Sequence, residues 1–442
     1  MQASLFDTDT NKKSESSEWG TFKDSLKAPI HGWFTYPAGF SYKAVEHGIK
    51  KANLKIGAST IYDPFMGSGT TNLVAKVLGY NSIGVEAHPF VYRITKTKMN
   101  WELIFEELDF AVNSIQSQLF HTKQPTNLEE YLKMEFPELV LKCFLPETLF
   151  ELLTIRNAIN TIDIQIDIKE FLRTALICVL RDVSIAATGW PYIAPNKIKV
   201  TSMSKKGWHT YKNRVYKMYG EISEIIQVSY KGQNHHQVLL GDSRNTIEQI
   251  NADSADYIFT SPPYLNNFDY ADRTRLEMYF MGDAKNWGEI SEKIRTKLIT
   301  SATTQISRTD AKYQFLESFK RECHNEYQFL NGAVNQLSEV RLTKGGKKSY
   351  DLMTIGYFND IYKIIKDNFR VLKSNSKALY ILGDSAPYGV HIPTDELIGQ
   401  IGVSVGFKNY KIEILRERGG KWENNPQRHN VKLRESIVIL EK

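Results

Sequence analysis

The segment Asp63-Pro-Phe-Met-Gly-Ser-Gly-Thr-Thr71 constrains the fold more than any other part of the chain. The apolar stretch Thr60–Tyr62 leads into it, and NLVAKVLGY follows with the spacing of a helix. SIGVEAHP then reads as a second strand ending at Glu86. Strand, tight glycine turn, helix and strand make one β-α-β unit, the start of a parallel sheet. Gly67 and Gly69 let the backbone turn sharply and approach a ligand closely. Glu86 stands 17 residues after Gly69, where an acid can accept hydrogen bonds from ribose hydroxyls. No Lys follows the glycines, so the loop is not a phosphate cradle, and the absence of GxGxxG argues against a nicotinamide or flavin site.

A carboxylate at Asp63, on the strand end, suits a cofactor that carries an ammonium and a sulfonium. S-adenosylmethionine carries both. Further strand signals lie at HQVLLGDS, ADYIFTSPPY and ALYILGDS, and YKIEILRERGG with ESIVILEK reads as a closing antiparallel pair. Between them, LEEYLKMEF, ETLFELLTIRNAI and IKEFLRTALICVLRDVSI space their apolar residues as helices do. The expected organisation is therefore a split catalytic domain over 29–105 and 232–442. A helical insert spans 106–231, a candidate DNA-binding or target-recognition region, and a second insert spans 265–350 within the catalytic domain. The polar N-terminus reads as a disordered tail over 1–28.

The second strong signal is Ser261-Pro262-Pro263-Tyr264, directly after the apolar strand Tyr257–Phe259. Two prolines remove two backbone donors and fix the chain. The Pro262 carbonyl and the Ser261 hydroxyl are left as rigid acceptors at the C-terminal end of a strand, where ligands of open α/β sheets bind. An exocyclic amine of cytosine or adenine is planar and weakly nucleophilic. Two acceptors on its N–H bonds favour a pyramidal nitrogen and stabilise the positive charge that builds as a methyl group arrives. Tyr264 can stack on the base once it is flipped from the duplex. No strong base is required, because the methylated nitrogen loses its proton readily. Methylation at pyrimidine C5 would need a nucleophilic cysteine beside this segment, and none lies between Cys178 and Cys323.

Those three widely spaced cysteines, Cys143 included, form no zinc or disulfide pattern. No run of 18 apolar residues or signal-peptide pattern occurs, so no membrane partner is expected and the cytoplasm is the expected compartment. Net charge is a modest +6, but its distribution is uneven. Between Pro191 and Gly220 stand seven basic residues and no acid, Lys197, Lys199, Lys205, Lys206 and Arg214 among them. Trp190, Tyr192, Trp208, Tyr211, Tyr216 and Tyr219 are interleaved with them. Phosphates attract the cations and unstacked bases the aromatic faces; a solvated basic face with packed aromatics is the alternative.

Taken together, DPFMGSGT and SPPY resemble the amino-methyltransferases of DNA, the N4-cytosine and N6-adenine enzymes of restriction–modification systems. The resemblance implies a Rossmann-like S-adenosylmethionine-dependent methyltransferase fold, α/β with a mainly parallel sheet, an antiparallel C-terminal strand pair and largely helical insertions. It implies that Asp63, Pro64, Phe65, Gly67, Ser68, Gly69, Thr70 and Glu86 hold the cofactor. His31–Ser41 resembles the family's segment at the methionine end, which adds Tyr36, Phe40 and Ser41. Asp242 in LLGDSRN sits where the family has an acid near the adenine, and Asp384 in YILGDS looks like part of a later core strand. Ser at the first position of the catalytic tetrad is commonest among N4-cytosine enzymes. Double-stranded DNA is the implied partner, with a cognate restriction endonuclease as a further one. The resemblance covers about 30–100 and 238–442, and the loop precedes the tetrad by almost 200 residues. Adenine N6-methylation, RNA guanine N2-methylation, protein glutamine methylation and a non-catalytic DNA-binding relic are the competing readings. Ser261 and the intact loop weigh against the last three.

Overall fold

The computed structural model describes residues 18–36, 39–188, 192–202, 205–308, 313–345, 348–418 and 431–442. Its strands are β1 (Thr60–Asp63), β2 (Asn81–Glu86), β3 (Ala186–Thr188), β4 (Ile193–Ile198), β5 (His236–Leu240), β6 (Ala255–Thr260), β7 (Leu372–Gly383), β8 (Asn409–Arg418) and β9 (Leu433–Glu441). Seven of them form one sheet in the order β5-β2-β1-β6-β7-β9-β8. All neighbours pair in parallel except β9, which runs antiparallel between β7 and β8. This is the expected α/β sheet with its closing antiparallel pair.

Burial on both faces explains the near-continuous apolar runs of the central strands. Alternation by two sends Ile61, Tyr257, Phe259, Leu379 and Ile381 into one core. Tyr62, Ile258, Ala378, Tyr380 and Leu382 enter the core on the opposite face. Helices Tyr42–Lys51, Thr70–Leu78 and Pro89–Met99 pack in the first, and Tyr350–Val371 and Thr394–Val405 in the second.

The helical segments over 128–136, 147–159 and 168–185 lie largely within helices Leu128–Glu135, Pro146–Thr161 and Ile166–Val183. Their core is continuous with that of the first sheet face; Trp33 and Phe171 meet edge to face at 5.7 Å. Trp33 Nε1 and Ile30 N both donate to Glu221 Oε2 at 2.8 Å, tying helix Gly207–Val228 to the segment before β1. The insert also holds the two-stranded β3–β4 hairpin, a local departure from the helical reading. The segment IAPNKI has no period-2 apolar run long enough to mark a strand.

At the N-terminus, residues 1–17 lie outside the described residues, as does Trp190. Residues 18–28, expected in the tail, are instead built into the fold: helix Lys23–Lys27 follows a buried Phe22, and Ala28 is buried. Ser25 explains the attachment, since its hydroxyl donates to Phe40 O at 3.2 Å and accepts from Tyr42 N at 3.1 Å. Among the described residues, no helix is long and apolar enough to cross a membrane.

Candidate active site

Strand order reverses direction at β1, with β2 and β5 on one side and β6 and β7 on the other. Ligands of open α/β sheets bind at the carboxyl ends of strands beside such a switch. A cleft of about 770 Å³ lies there, walled by the residues that follow β1, β2, β5 and β6.

The loop after β1 is held by its neighbours. Gly67 and Gly69 have φ of +53° and +86°, the left-handed region that glycine enters without penalty. A Cβ on Gly69 would lie 2.6 Å from Thr95 Cγ2, so the close approach to helix Pro89–Met99 needs glycine there. Thr95 Oγ1 donates to Gly67 O at 2.7 Å. Buried Lys98 donates to Ser68 O at 3.2 Å and to His31 O at 3.0 Å, and burial pulls its ammonium down to about 8.

Two acids are raised by burial, Glu86 in the cleft wall and Asp63 behind the loop. Glu86 accepts from Gly67 N and His88 N, each at 2.8 Å; burial still pushes it up to about 7. Asp63 is fully buried. Its Oδ1 accepts from Thr260 Oγ1 at 2.6 Å and from Phe65 N at 3.0 Å. Its Oδ2 has no hydrogen-bond partner among the described residues, the Thr71 hydroxyl being turned to Phe259 O at 3.2 Å. Burial pushes Asp63 up to about 6. A cationic ligand in this cleft would meet Glu86, a carboxylate that its surroundings leave under-compensated, with Asp63 behind the loop.

Of the expected cofactor residues, Tyr36, Phe40, Pro64, Phe65, Gly67, Ser68, Thr70, Glu86 and Asp242 line the cleft. Asp63 and Gly69 stand behind that lining as supports of the loop. Ser41 is not brought to it: the side chain is buried, caps helix Tyr42–Lys51 by accepting from Lys43 N, and donates to Asp24 Oδ2 at 3.0 Å. Asp242 is clamped by Arg244 at 2.6 Å, and Arg244 also reaches Asp360 at 3.2 Å and Lys297 O at 3.2 Å. That clamp sets Lys297, Leu298 and Ile299 of the second insert into the cleft wall. They sit in a stretch without a motif, so nothing in the sequence marked them.

Ser261 and Pro263 face the same cleft, opposite the glycine loop. Pro262 and Tyr264 face a second cavity of about 1070 Å³, which shares Tyr36, Gly39 and Tyr270 with the first. The tetrad is thus the partition between two adjoining spaces. Strand register fixes it there, with Thr260 beside Tyr380 in β7. One strand position further on, Ser261 Oγ donates to Ile381 O at 2.9 Å. The hydroxyl proton is therefore committed, and the oxygen is left with lone pairs to offer. Tyr264 donates its phenol proton to Glu435 Oε1 at 2.9 Å; burial, with Glu435 beside it, holds that phenol well above its ordinary pKa. Ile381 and Glu435 were not picked out from the sequence, because each lies in an ordinary apolar or alternating strand.

The basic residues of the insert divide. Lys199 donates to Arg181 O at 3.2 Å, Lys205 to Asp182 O at 2.9 Å, and Arg214 pairs with Asp182 at 2.7 Å. These three hold the end of helix Ile166–Val183. Lys197, Lys205 and Lys206 are exposed. The hairpin reaches the tetrad loop, where Asp269 N donates to Tyr192 Oη at 2.9 Å.

Residues 4–97 match the family model described as DNA methylase. The Type II methyltransferase M.BsoBI of Geobacillus stearothermophilus is 28% identical, over 96% of this chain and 87% of its own. M.AvaI of Anabaena variabilis is 24% identical over 96% and 88%, and M.MvaI of Kocuria varians 21% over 93% and 88%. Both are Type II methyltransferases.

Proposed function

We propose, from the premise that the chain belongs to the DNA amino-methyltransferase family, that it methylates N4 of a flipped cytosine at a specific DNA site with S-adenosylmethionine as donor. One observation carries this reading. The glycine loop with Glu86 and the tetrad residues Ser261 and Pro263 line one cleft, while Pro262 and Tyr264 open onto the space beside it.

The cleft fits the donor. The elevated Glu86 in the cleft wall is an acid that the donor's positive charge would compensate, with the buried Asp63 adding to the negative field from behind the loop. Glu86, fixed by two backbone donors, has lone pairs left for ribose hydroxyls. Pro64, Phe65 and Ile299 supply apolar walls. When bound, S-adenosylmethionine supplies an electrophilic methyl group. The chain's own part is to hold the amine. Ser261 Oγ, whose hydroxyl donates its hydrogen bond to Ile381 O, and the Pro262 carbonyl accept hydrogen bonds from the two amine N–H groups and localise the nitrogen lone pair toward the cleft. Stacking on Tyr264 keeps the ring in place. The nitrogen then sheds a proton without a dedicated base.

Ser at the first tetrad position supports cytosine. For the duplex, exposed Lys197, Lys205 and Lys206, with half-buried Lys199 and Arg214, form a basic edge joined to the tetrad loop through Tyr192 and Asp269. The Type II relatives support a restriction–modification setting with a partner endonuclease. Sequencing DNA from cells that express the chain, by a method that separates N4-methylcytosine from N6-methyladenine, tests the reading. N4-methylcytosine at one sequence is expected; unmodified DNA, or adenine marks alone, would overturn it.

A further inference from the structure

The second cavity is assembled from three distant parts of the chain: Phe22 near the N-terminus, Pro262 and Tyr264 of the tetrad, and Arg416, Arg418 and Glu435 of the two closing strands. Its charged groups are not equivalent. Glu435 is almost fully buried, accepts from Tyr264 and lies 2.7 Å from Arg416, so that carboxylate and that guanidinium are committed to each other. Arg418 is not. Its guanidinium lies 5.4 Å from the centre of the Tyr264 ring. Among the described residues its hydrogen bond is a long one, from Nη1 to Asp384 O at 3.5 Å. Gly383 makes room for it, since a Cβ there would lie 2.0 Å from Arg418 Nη1 and 3.3 Å from Tyr264 Cδ2. The fold thus omits a side chain to seat a guanidinium, with unspent donors, against the ring on which a base would stack.

We infer that Arg418 reads the acceptor edge of the flipped base and makes the site selective for cytosine over adenine. The inference rests on the reading above. With the exocyclic amine held at Ser261 and Pro262, cytosine turns N3 and then O2, both acceptors, along the same edge. Adenine turns N1, an acceptor, and then a C–H. The planar fork of arginine presents paired N–H donors that match the first pattern fully and the second by half. An adenine would leave a desolvated donor without a partner, the situation by which polar sites reject a near-isostere. The neighbouring Glu435 cannot serve this edge, because a carboxylate beside ring acceptors repels them.

The test is a cycle between protein and base. The methylated sequence is first read from DNA, which by itself decides whether the base is cytosine. Wild-type enzyme and R418M are then assayed on that duplex with cytosine or 3-deazacytosine at the target. Removing N3 alters the amine's intrinsic reactivity equally for both enzymes, so the difference between them isolates the contact. Arg418→Met should lower kcat/KM on cytosine by about 100-fold. The deaza base should lose at least about tenfold more with wild type than with R418M. The same duplex with adenine at the target tests the selectivity itself, since the preference for cytosine over adenine should shrink by at least about tenfold in R418M. Equal losses on the deaza base, or an unchanged preference, would overturn the inference while leaving the N4 reading intact; adenine methylation in the cell would overturn both. Calorimetry with S-adenosylmethionine checks that the variant folds. R418K, which keeps the charge and lacks the fork, is expected to show the same lost coupling and carries the cycle if R418M does not fold.

Discussion

The two adjoining cavities are built in opposite ways. The first draws its floor from consecutive residues, Pro64 to Ser68, and its acid from the end of the next strand. The second draws its walls from residues hundreds of positions apart, Phe22 against Arg418 and Glu435. A contiguous loop needs glycines and a carboxylate at set spacing, so its chemistry is written locally. An assembled pocket needs only that the sheet bring its parts together, and each part is unremarkable in its own strand. On the proposed reading, binding the donor is a property of the loop, whereas choosing the base is a property of the fold.

The largest effect that can break this division is at the partition itself. Ser261→Ala removes the hydroxyl proposed to hold the amine and leaves the first cleft's loop untouched. Turnover is expected to fall by about 100-fold or more, with affinity for S-adenosylmethionine within about twofold of wild type. Single-turnover assays paired with calorimetry measure both. A large loss of cofactor affinity would show that the two spaces do not act separately.

Next in size is the pH response of the first cleft. On the proposed reading Glu86, raised to about 7, must be ionised to compensate a cationic donor, and Asp63, raised to about 6 behind the loop, adds to the same field. Affinity should therefore rise from pH 6 to pH 8 and level off, by about tenfold from Glu86 alone, since one unit below its pKa about a tenth remains ionised. Titration calorimetry across that range checks it. A flat profile would mean that Glu86 does not face the bound charge.

How much of this was legible follows the same division. The β-α-β unit, the closing strand pair and the tetrad were all readable, because each depends on local periodicity or on glycine and proline chemistry. Tyr36, Phe40 and Glu86 fall on the cleft as the motifs indicate. Ser41 does not, because a serine one residue before a helix is equally well explained as its cap. Lys297–Ile299 and Arg418 were out of reach, being placed by the Asp242–Arg244 clamp and by the register of β8 on β9. The β3–β4 hairpin was hidden by its short strands, and the basic residues around it proved to be of two kinds. Lys199, Lys205 and Arg214 satisfy partners within the chain, a distinction that charge counting cannot make.

That distinction gives a smaller, sharper test. Lys206→Ala should weaken DNA binding several-fold at low salt and reduce the magnitude of the salt slope by about one. Lys205→Ala should do so less, because its ammonium is shared with Asp182 O. Fluorescence anisotropy at several salt concentrations separates the two. An unaltered slope for both would move the duplex off this edge.

The smallest effect concerns the protein without its donor, and its sign is opposite to that of binding. Raised above the ordinary carboxylate value, Glu86 holds a proton in the folded state at a pH where the unfolded chain has lost it. Stability from this group is therefore greatest at low pH and falls as pH rises through about 7. Buried His31, His88 and His236, whose pKa values burial lowers, act the other way below about 6.5, so the wild-type melting curve alone would mix the two. Comparison with Glu86→Gln removes the histidines from the result. Whatever fixed loss the amide incurs by facing Gly67 N and His88 N does not vary with pH. The melting temperature of wild type relative to E86Q should thus decline by on the order of 1–2 °C between pH 6 and pH 8. Adding S-adenosylmethionine should reverse that trend, because the bound cation favours the ionised acid. A difference that is constant with pH would mean that Glu86 is already charged in the empty cleft, and that the loop tolerates its carboxylate without help from a ligand.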